Sequence, residues 1–435
     1  MLRTDGLTDV ATFNIADSIW EIHAIPFPDG TPVYFYPGLP VMGLLTYETN
    51  TAGNDTLVGF DTKYAYIYSN GWDRLAGETN AGDAVWTGTD YQFFWNTTWS
   101  GVNASTRLFF VTNFNQNEPN FMRYFDGTNW TTFKPAIDAS NFLISSQILV
   151  VFKNRLIALN TWEGASSMAA NNYTNRCRYA QIGDPTSDDA WRSDMFKGVN
   201  TNAIDAATLE SIVSCEFIKD RLIVYFERSA WELVYTGNQA YPFTWQKINT
   251  ELGAESPFST IPFDTVVLGV SQVGIHACNG SNVERIDDSI PDEVFEVDTL
   301  NNGVIRVYGI RDYFVEQAYW TFPDSTTGPD APYPNRVLVF NYKTGTWGLN
   351  DDTITCFGYY QPVTGVLWSD LTVFWNSDTP WSSGLIQSQS RQVVGGNQTG
   401  FTFFIDADSP TNALVLPITN ITFADTLQLT VISHN

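Results

Sequence analysis

Apolar and polar positions in this chain alternate in short runs of strand length, and one run occurs twice. Ile148-Leu149-Val150-Val151-Phe152-Lys153-Asn154-Arg155-Leu156-Ile157-Ala158-Leu159 returns as Cys215-Glu216-Phe217-Ile218-Lys219-Asp220-Arg221-Leu222-Ile223-Val224-Tyr225-Phe226. In each copy two apolar stretches flank Lys-Asn-Arg or Lys-Asp-Arg. Asn and Asp tolerate the tight-turn conformations that fold one strand back on another, so each copy predicts a β-hairpin rather than a helix. The repetition predicts an architecture of similar units.

A second pattern recurs around these phrases: a strand, a short polar turn with Gly, and a strand that often begins with Trp. It is seen at Tyr64–Tyr68, Ser69-Asn70-Gly71 and Trp72–Leu75, and again at Phe121–Phe125, Asp126-Gly127-Thr128-Asn129 and Trp130–Phe133. Ile275–Val283 keeps the turn with Val in the Trp position, and Val337–Tyr342, Lys343-Thr344-Gly345 and Thr346-Trp347 repeat the full pattern. Gly, Asn and Asp supply the positive φ of tight hairpins, and a Trp past the turn covers the hairpin and packs between sheets. Blocks with about four strand-length runs each predict an all-β fold, a β-propeller of radial four-stranded blades.

Sets near residues 57–75, 107–133, 148–182, 217–248, 265–286 and 304–348 make six blades, and Leu371 to Ile405 makes a seventh or closes the ring. A β-sandwich array is the main rival. Residues 1–32 are a lead-in, 33–405 the propeller, and 406–435 the start of a small C-terminal β-domain that looks cut short after His434-Asn435. Asp205 to Val213 is the one stretch that supports a short helix.

Composition agrees with strands. Aromatic residues make up 15% of the 435 residues and charged residues only 16%, against roughly 25% charged in an average soluble protein. Acidic residues number 47 against 22 Lys+Arg, a net charge of -25. Phosphate-binding surfaces need clustered cations, so specific nucleic-acid binding is not expected; acidity keeps an aromatic-rich chain soluble. Cys177, Cys215, Cys278 and Cys356 are widely spaced without CxxC and read as separate buried thiols. Met1 to Phe13 does not resemble a signal peptide, and no apolar stretch approaches the ~20 residues of a membrane-spanning helix. The sequons at Asn54, Asn96, Asn103, Asn129, Asn172, Asn279, Asn397 and Asn420 read as turn residues.

Candidate chemistry is sparse. His23, His276 and His434 lack metal-ligand spacing, and His276, beside apolar residues, reads as a satisfied core histidine. Gly395-Gly396-Asn397-Gln398-Thr399-Gly400 lacks the Lys of a phosphate loop and reads as a hairpin turn. A sialidase-like glycosidase would need two carboxylates across a bond; Asp188, Asp189, Asp312 and Glu316 are nameable candidates. Asp126-Gly127-Thr128-Asn129-Trp130 is similar to an Asp-box turn but one residue short, and reads as a blade hairpin. Asp406 with Asp408, or Asp287 with Asp288, lacks the spaced ligands of a calcium loop. Trp95, Trp99 and Trp381, near loop-like segments, are candidates for stacking on sugars or a host receptor, or for packing between blades or against neighbouring subunits. No catalytic residue, cofactor site or metal site is expected.

The block from Phe217 to Val294 resembles the β-propeller structural proteins of bacteriophage tails, the tail nozzle or tail tubular protein B type. The phrases that carry the resemblance are Lys219-Asp220-Arg221-Leu222-Ile223-Val224, Trp231-Glu232-Leu233, Ile248 to Pro257, Val267 to Ile275 and Val283 to Ile290. Phe152 to Leu156, Tyr179 to Pro185 and Pro334 to Tyr342 look like the same family, so the resemblance covers about residues 148–405. The final Pro417 to Asn435 looks like the small β-domain that often accompanies such propellers. The resemblance implies a virion structural protein, not an enzyme, made in the bacterial host cytoplasm. Identical subunits would form a ring, commonly a hexamer, next to portal, adaptor and tail fibre proteins, with genomic DNA passing only through the channel. The excess of acid would keep that channel from holding DNA.

Overall fold

A computed structural model describes residues 23–26, 32–35, 39–49, 55–68, 72–75, 86, 88–103, 106–115, 122–192, 194–195, 202–271, 273–287, 290, 297, 300–325, 333–361 and 391–405. Strands β1 (His23–Pro26) and β2 (Pro32–Phe35) pair with each other in a small sheet of their own. Seven antiparallel sheets follow in chain order. Blade 1 comprises β3 (Gly43–Tyr47), β4 (Thr56–Phe60), β5 (Ala65–Tyr68) and β6 (Trp72–Arg74). Blade 2 has β7 (Trp95–Asn103), β8 (Thr106–Thr112), β9 (Arg123–Phe125) and β10 (Trp130–Thr132). Blade 3 has β11 (Phe142–Phe152), β12 (Arg155–Gly164), β13 (Ala170–Tyr179) and β14 (Ala203–Asp205). Blade 4 has β15 (Ile212–Ile218), β16 (Arg221–Phe226), β17 (Ala230–Tyr235) and β18 (Phe243–Asn249). Blade 5 has β19 (Ile261–Pro262), β20 (Val267–Ser271), β21 (Gly274–Cys278) and β22 (Val283–Arg285). Blade 6 has β23 (Tyr308–Asp312), β24 (Gln317–Phe322), β25 (Arg336–Asn341) and β26 (Thr346–Asn350). Blade 7 has three described strands, β27 (Cys356–Tyr360), β28 (Gln392–Gly396) and β29 (Thr402–Phe404). The first strand of each blade lies against the first strand of the next, and β27 returns against β3. The fold is a closed seven-bladed β-propeller; of the set near residues 371–405, the described residues supply β28 and β29 of the seventh blade, which begins earlier, at β27.

The two recurring patterns occupy two places in this design. The duplicated Lys-Asn/Asp-Arg phrase is the inner hairpin, first strand to second, of blades 3 and 4. In blade 3 both turn residues, Lys153 and Asn154, take φ of 49° and 58°, and in blade 4 Lys219 takes 57°. The Gly-turn-Trp pattern is the outer hairpin, third strand to fourth, of blades 1, 2, 5 and 6. Its Trp side chains reach sideways as expected: Trp130 of blade 2 packs on Phe60 of blade 1, and Trp72 Nε1 donates to Thr402 Oγ1 of blade 7 at 3.2 Å.

Several expectations need correction. Asp205 to Val213 forms the end of β14, a bend and the start of β15; its two ends are paired into strands of different blades, so no helix forms. Asn96, Asn103 and Asn172 sit in strands, whereas Asn129, Asn279 and Asn397 are in turns; Asn54 and Asn420 lie outside the described residues. The C-terminal segment 406–435 also lies outside them. All four cysteines are free and buried, and Asn397 Oδ1 caps the turn between β28 and β29 by accepting from Thr399 and Phe401 N–H groups.

The core lies between blades rather than within one. Ile148, Leu159 and Tyr179 of blade 3 meet Cys215, Leu222 and Leu233 of blade 4 in one apolar layer, and Ile261 and Val270 of blade 5 meet Trp320 and Leu338 of blade 6 in another. At the seam between blades 7 and 1 backbone comes close to backbone. Thr355 Oγ1 donates to the Val41 carbonyl at 2.6 Å, and Thr46 Oγ1 donates to the Tyr359 carbonyl at 3.2 Å. A Cβ at Gly358 would overlap the Leu44 carbonyl, and one at Gly396 would sit 2.6 Å from Val41 Cβ. Gly358→Ala is therefore expected to pry the seam open and cost about 1–3 kcal/mol. Chemical denaturation should read this as a lower midpoint, with Gly345→Ala, in an open turn at φ 71°, separating backbone strain from seam closure.

Candidate functional site at the ring axis

A propeller's axis is where inner strands converge and where a ligand would ordinarily sit. Here aromatic rings fill part of it. Phe258, just before β19 of blade 5, stacks on Tyr308 of blade 6 with centroids 4.6 Å apart and planes 5° from parallel. The same ring meets Trp95 of blade 2 at 5.3 Å and Phe93, just before blade 2, at 6.0 Å. Blades 2 and 5 are not neighbours, so these contacts span the ring. Tyr308 also meets Phe357 of blade 7 at 6.2 Å. Backbone holds the plug in register: Gly309 N donates to the Phe258 carbonyl at 2.7 Å, and Trp95 Nε1 donates to Leu149 O of blade 3 at 2.8 Å.

An ion pair braces the same end. The 3-10 turn Leu300–Arg306 precedes blade 6, and Arg306, 1% exposed, sends Nη1 to the Asp90 carbonyl at 2.7 Å and Nη2 to Asp90 Oδ2 at 3.1 Å. Asp90 belongs to the connection from blade 1 to blade 2. Tyr333 lies under the Arg306 guanidinium, and burial followed by the Asp90 charge pushes its phenol up to about 12. All these connections enter at the end where the inner strands begin, so plug and brace cap one end of the axis.

Glu216, on the inner strand of blade 4, is the carboxyl most perturbed by this interior. It retains some accessible surface, yet the protein around it pushes its pKa from near 4.5 up to about 8, with desolvation as the leading cause and the Phe217 N–H opposing it. Both hold if the carboxyl borders enclosed space at the axis, touched by water but shielded from bulk solvent. Its charge acts on Tyr225 and Cys215 beside it and on Tyr308 two blades away, which only the axis allows. Burial raises all three of those groups, so its titratable surroundings are neutral. A protonated carboxyl can donate one hydrogen bond or proton; bond cleavage needs a second positioned group. The sequence carried one signal of this residue, an acid inside the apolar phrase Cys215-Glu216-Phe217.

The other candidates are dispersed. Asp188 and Asp189 are exposed in blade 3, while Asp312 and Glu316 belong to blade 6. Asp312 Oδ1 caps its turn by accepting from Phe314 and Val315 N–H groups, and Glu316 pairs with Lys343 at 2.8 Å. Asp126 caps the blade 2 hairpin in the same way, accepting from Thr128 and Asn129 N–H groups. Trp95 and Trp99 are not in loops: both lie on β7, Trp95 at the axis and Trp99 4% exposed, because inner-strand residues are covered from two sides. Trp381 lies outside the described residues.

His276 is a core residue as expected, but not a satisfied one. Neither ring nitrogen has a hydrogen-bond partner among the described residues, and burial pulls its pKa down to about 4. Asp287 binds the Ile275 N–H and Arg285, and no group of three or more metal-ligating side chains forms among the described residues. Asp288, Asp406 and Asp408 lie outside them. No described helix is long and apolar enough to cross a membrane.

No family model and no curated protein matches the chain. Among solved structures, the chain is similar to the extracellular domain of a protein assigned as a one-component system from B. thetaiotaomicron, at 8% identity and a TM-score of 0.38, over 88% of this chain and 39% of that one. It is also similar to the dihydro-heme d1 dehydrogenase NirN in complex with DHE, at 10% identity and a TM-score of 0.42, over 85% of this chain and 63% of that one. The chain thus spans less than two thirds of either neighbour's length. Nothing about activity passes from these proteins to this one.

Glu216 makes a pH-dependent contribution to stability. Because its folded pKa is raised, the folded state favours the protonated form, and stability falls as pH rises from about 4.5 to about 8. Glu216→Gln should remove that loss. Thermal melts should coincide for the two proteins near the bottom of this window and diverge above it, the Gln variant melting higher; equal pH slopes would contradict the enclosed setting.

Proposed function

We propose that this chain is a structural subunit of a bacteriophage tail, assembled as a ring of identical copies around the path by which the genome leaves. The observation that carries the reading is the braced axis. A propeller whose centre is packed with Phe258, Tyr308, Trp95 and Phe93 and tied by Arg306–Asp90 is a stiff disc, suited to building a wall. The ordered phrases that resemble tail propellers support the reading independently, and several are hairpins of blades 3 to 6. A net charge of -25 suits a wall along which DNA slides without binding. Portal, adaptor and tail fibre proteins would be its neighbours in the virion.

A carbohydrate-binding or sialidase-like propeller is the competing reading. It would have to find its aromatic platform elsewhere, since Trp95 and Trp99 pack inside. Native mass spectrometry of the purified chain tests the proposal: a closed ring, most simply a hexamer, is the expected species. A chain that stays monomeric at all concentrations and binds or cleaves glycans would overturn it, as would a ring whose lumen is lined by Lys and Arg.

A further inference from the structure

Arg311, on β23 of blade 6, sits in a cage of aromatic rings. It is half-buried at the end of the propeller where first and second strands turn, opposite the plug. Its guanidinium carbon lies 4.2 Å from the centre of the Phe263 ring, 4.5 Å from that of Tyr313 and 4.8 Å from that of Tyr342. Phe263 comes from the β19–β20 turn of blade 5, Tyr313 and Tyr342 from the two turns of blade 6, so the cage is assembled across one seam. Its walls are fixed in place. Tyr342 Oη donates to the Asp312 carbonyl at 3.3 Å, and the Phe263 and Tyr342 rings meet edge to face at 5.2 Å. Tyr359 of blade 7 donates to the Arg311 carbonyl at 2.6 Å, and its ring lies 6.1 Å from Tyr313.

The rings attract the cation but leave its donors unmatched. A guanidinium carries its N–H donors in one plane, and an aromatic face answers the charge without accepting along that edge. Arg311 has no ion pair and no side-chain hydrogen bond among the described residues; its Nε is enclosed, which leaves the Nη pair as the open edge. Arginines elsewhere in the propeller, such as Arg221, Arg306 and Arg336, are each held by a carboxylate. The acids nearby are engaged or lie at the rim. Glu316 pairs with Lys343 at 2.8 Å, Asp312 Oδ1 accepts from the Phe314 and Val315 N–H groups, and Asp264, beside Phe263, is exposed. Next to the open edge, Tyr313 and Phe314 stand 55% and 73% exposed on the tip of their turn.

We propose that the mouth of this cage binds an acidic sugar of the uronic acid type, the Arg311 Nη edge taking the carboxylate and Tyr313 and Phe314 taking the C–H face of the pyranose ring. A carboxylate matches the two parallel donors of a guanidinium edge. Three rings already hold that edge in place, so little freedom is lost on binding. Two large rings side by side on a turn form a rigid apolar platform. A simple carboxylate would use the edge and leave the platform bare, and an acidic peptide side chain carries its charge on a flexible stem without a flat face. A uronic acid joins both features in one rigid ring, and the Glu316–Lys343 pair at the rim offers partners for its hydroxyl groups. The site goes beyond the tail reading and functions in a single copy of the chain.

Titration calorimetry of the full chain with glucuronate tests this, with glucose, acetate and N-acetylglutamate as comparisons. Saturable binding of glucuronate is expected, weakened roughly tenfold to a hundredfold in Arg311→Met, which keeps the stem without the charge. Tyr313→Ala, at an exposed position that leaves the fold in place, should weaken it severalfold while melting like the wild type. Glucose should not bind. A wild type that does not bind glucuronate overturns the proposal, as does binding left intact in Arg311→Met. Acetate or N-acetylglutamate binding as tightly as glucuronate would show an edge that takes any carboxylate and overturn the sugar as ligand. If Arg311→Met loses both binding and melting temperature while Tyr313→Ala binds like the wild type, Arg311 is an internal brace and the proposal falls.

Discussion

Each blade of this ring has two apolar faces, and neither is covered until the blades on both sides are in place. Closure is therefore the constraint on which the rest of the structure depends. The closing seam is formed between strands from opposite ends of the described chain, β3 near its start and β27 to β29 near its end. With no strand exchanged between the first and last blades among the described residues, the seam relies on close approach: two glycines, Gly358 and Gly396, let backbone meet backbone, and hydroxyl groups of Thr355 and Thr46 satisfy carbonyls across it.

A seven-membered ring leaves space along its axis, and the chain resolves that space in two ways. At the end where inner strands begin, rings from blades 2, 5, 6 and 7 converge, and Arg306 reaches Asp90 across the opening. These contacts tie non-neighbouring blades together, so the ring is braced across its diameter as well as around its rim. Glu216 lies on the inner strand of blade 4, where burial raises its pKa to about 8. Satisfying packing around such a residue costs stability in alkaline solution, and the fold accepts that cost.

Similar blades are not equivalent blades. The duplicated phrase builds the same inner hairpin twice, with a left-handed residue at each turn, yet Arg221 is neutralised by a carboxylate and Arg155, among the described residues, is not. The difference lies in a single cross-strand partner, Glu232 in one blade and Tyr179 in the other. Repetition preserves the backbone, because turns and alternation are enough to specify it, while individual side-chain partners are free to differ.

That division also separates what could be read in the chain from what could not. Hairpins were legible because their determinants are local: Lys153-Asn154 and Lys219-Asp220 at the turns, alternating apolar runs beside them, and Trp72 and Trp130 past a Gly turn. From these the all-β class and the propeller follow. The seventh blade was less legible because its first described strand is separated from the other two by a long interval between Tyr360 and Gln392. Burial was legible in part, in the four cysteines and His276, but which side chains meet was not, since that is decided by neighbours remote in sequence. Asp205 to Val213 has a helical pattern but is drawn into two strands by the blades on either side. Trp95 stands near a loop-like segment in the sequence and packs at the axis against Phe258, and His276 is buried without the partners that a core histidine ordinarily finds. Local pattern sets each hairpin and the order of hairpins, whereas ring closure sets which side chains meet, because each interface joins residues that local periodicity cannot connect.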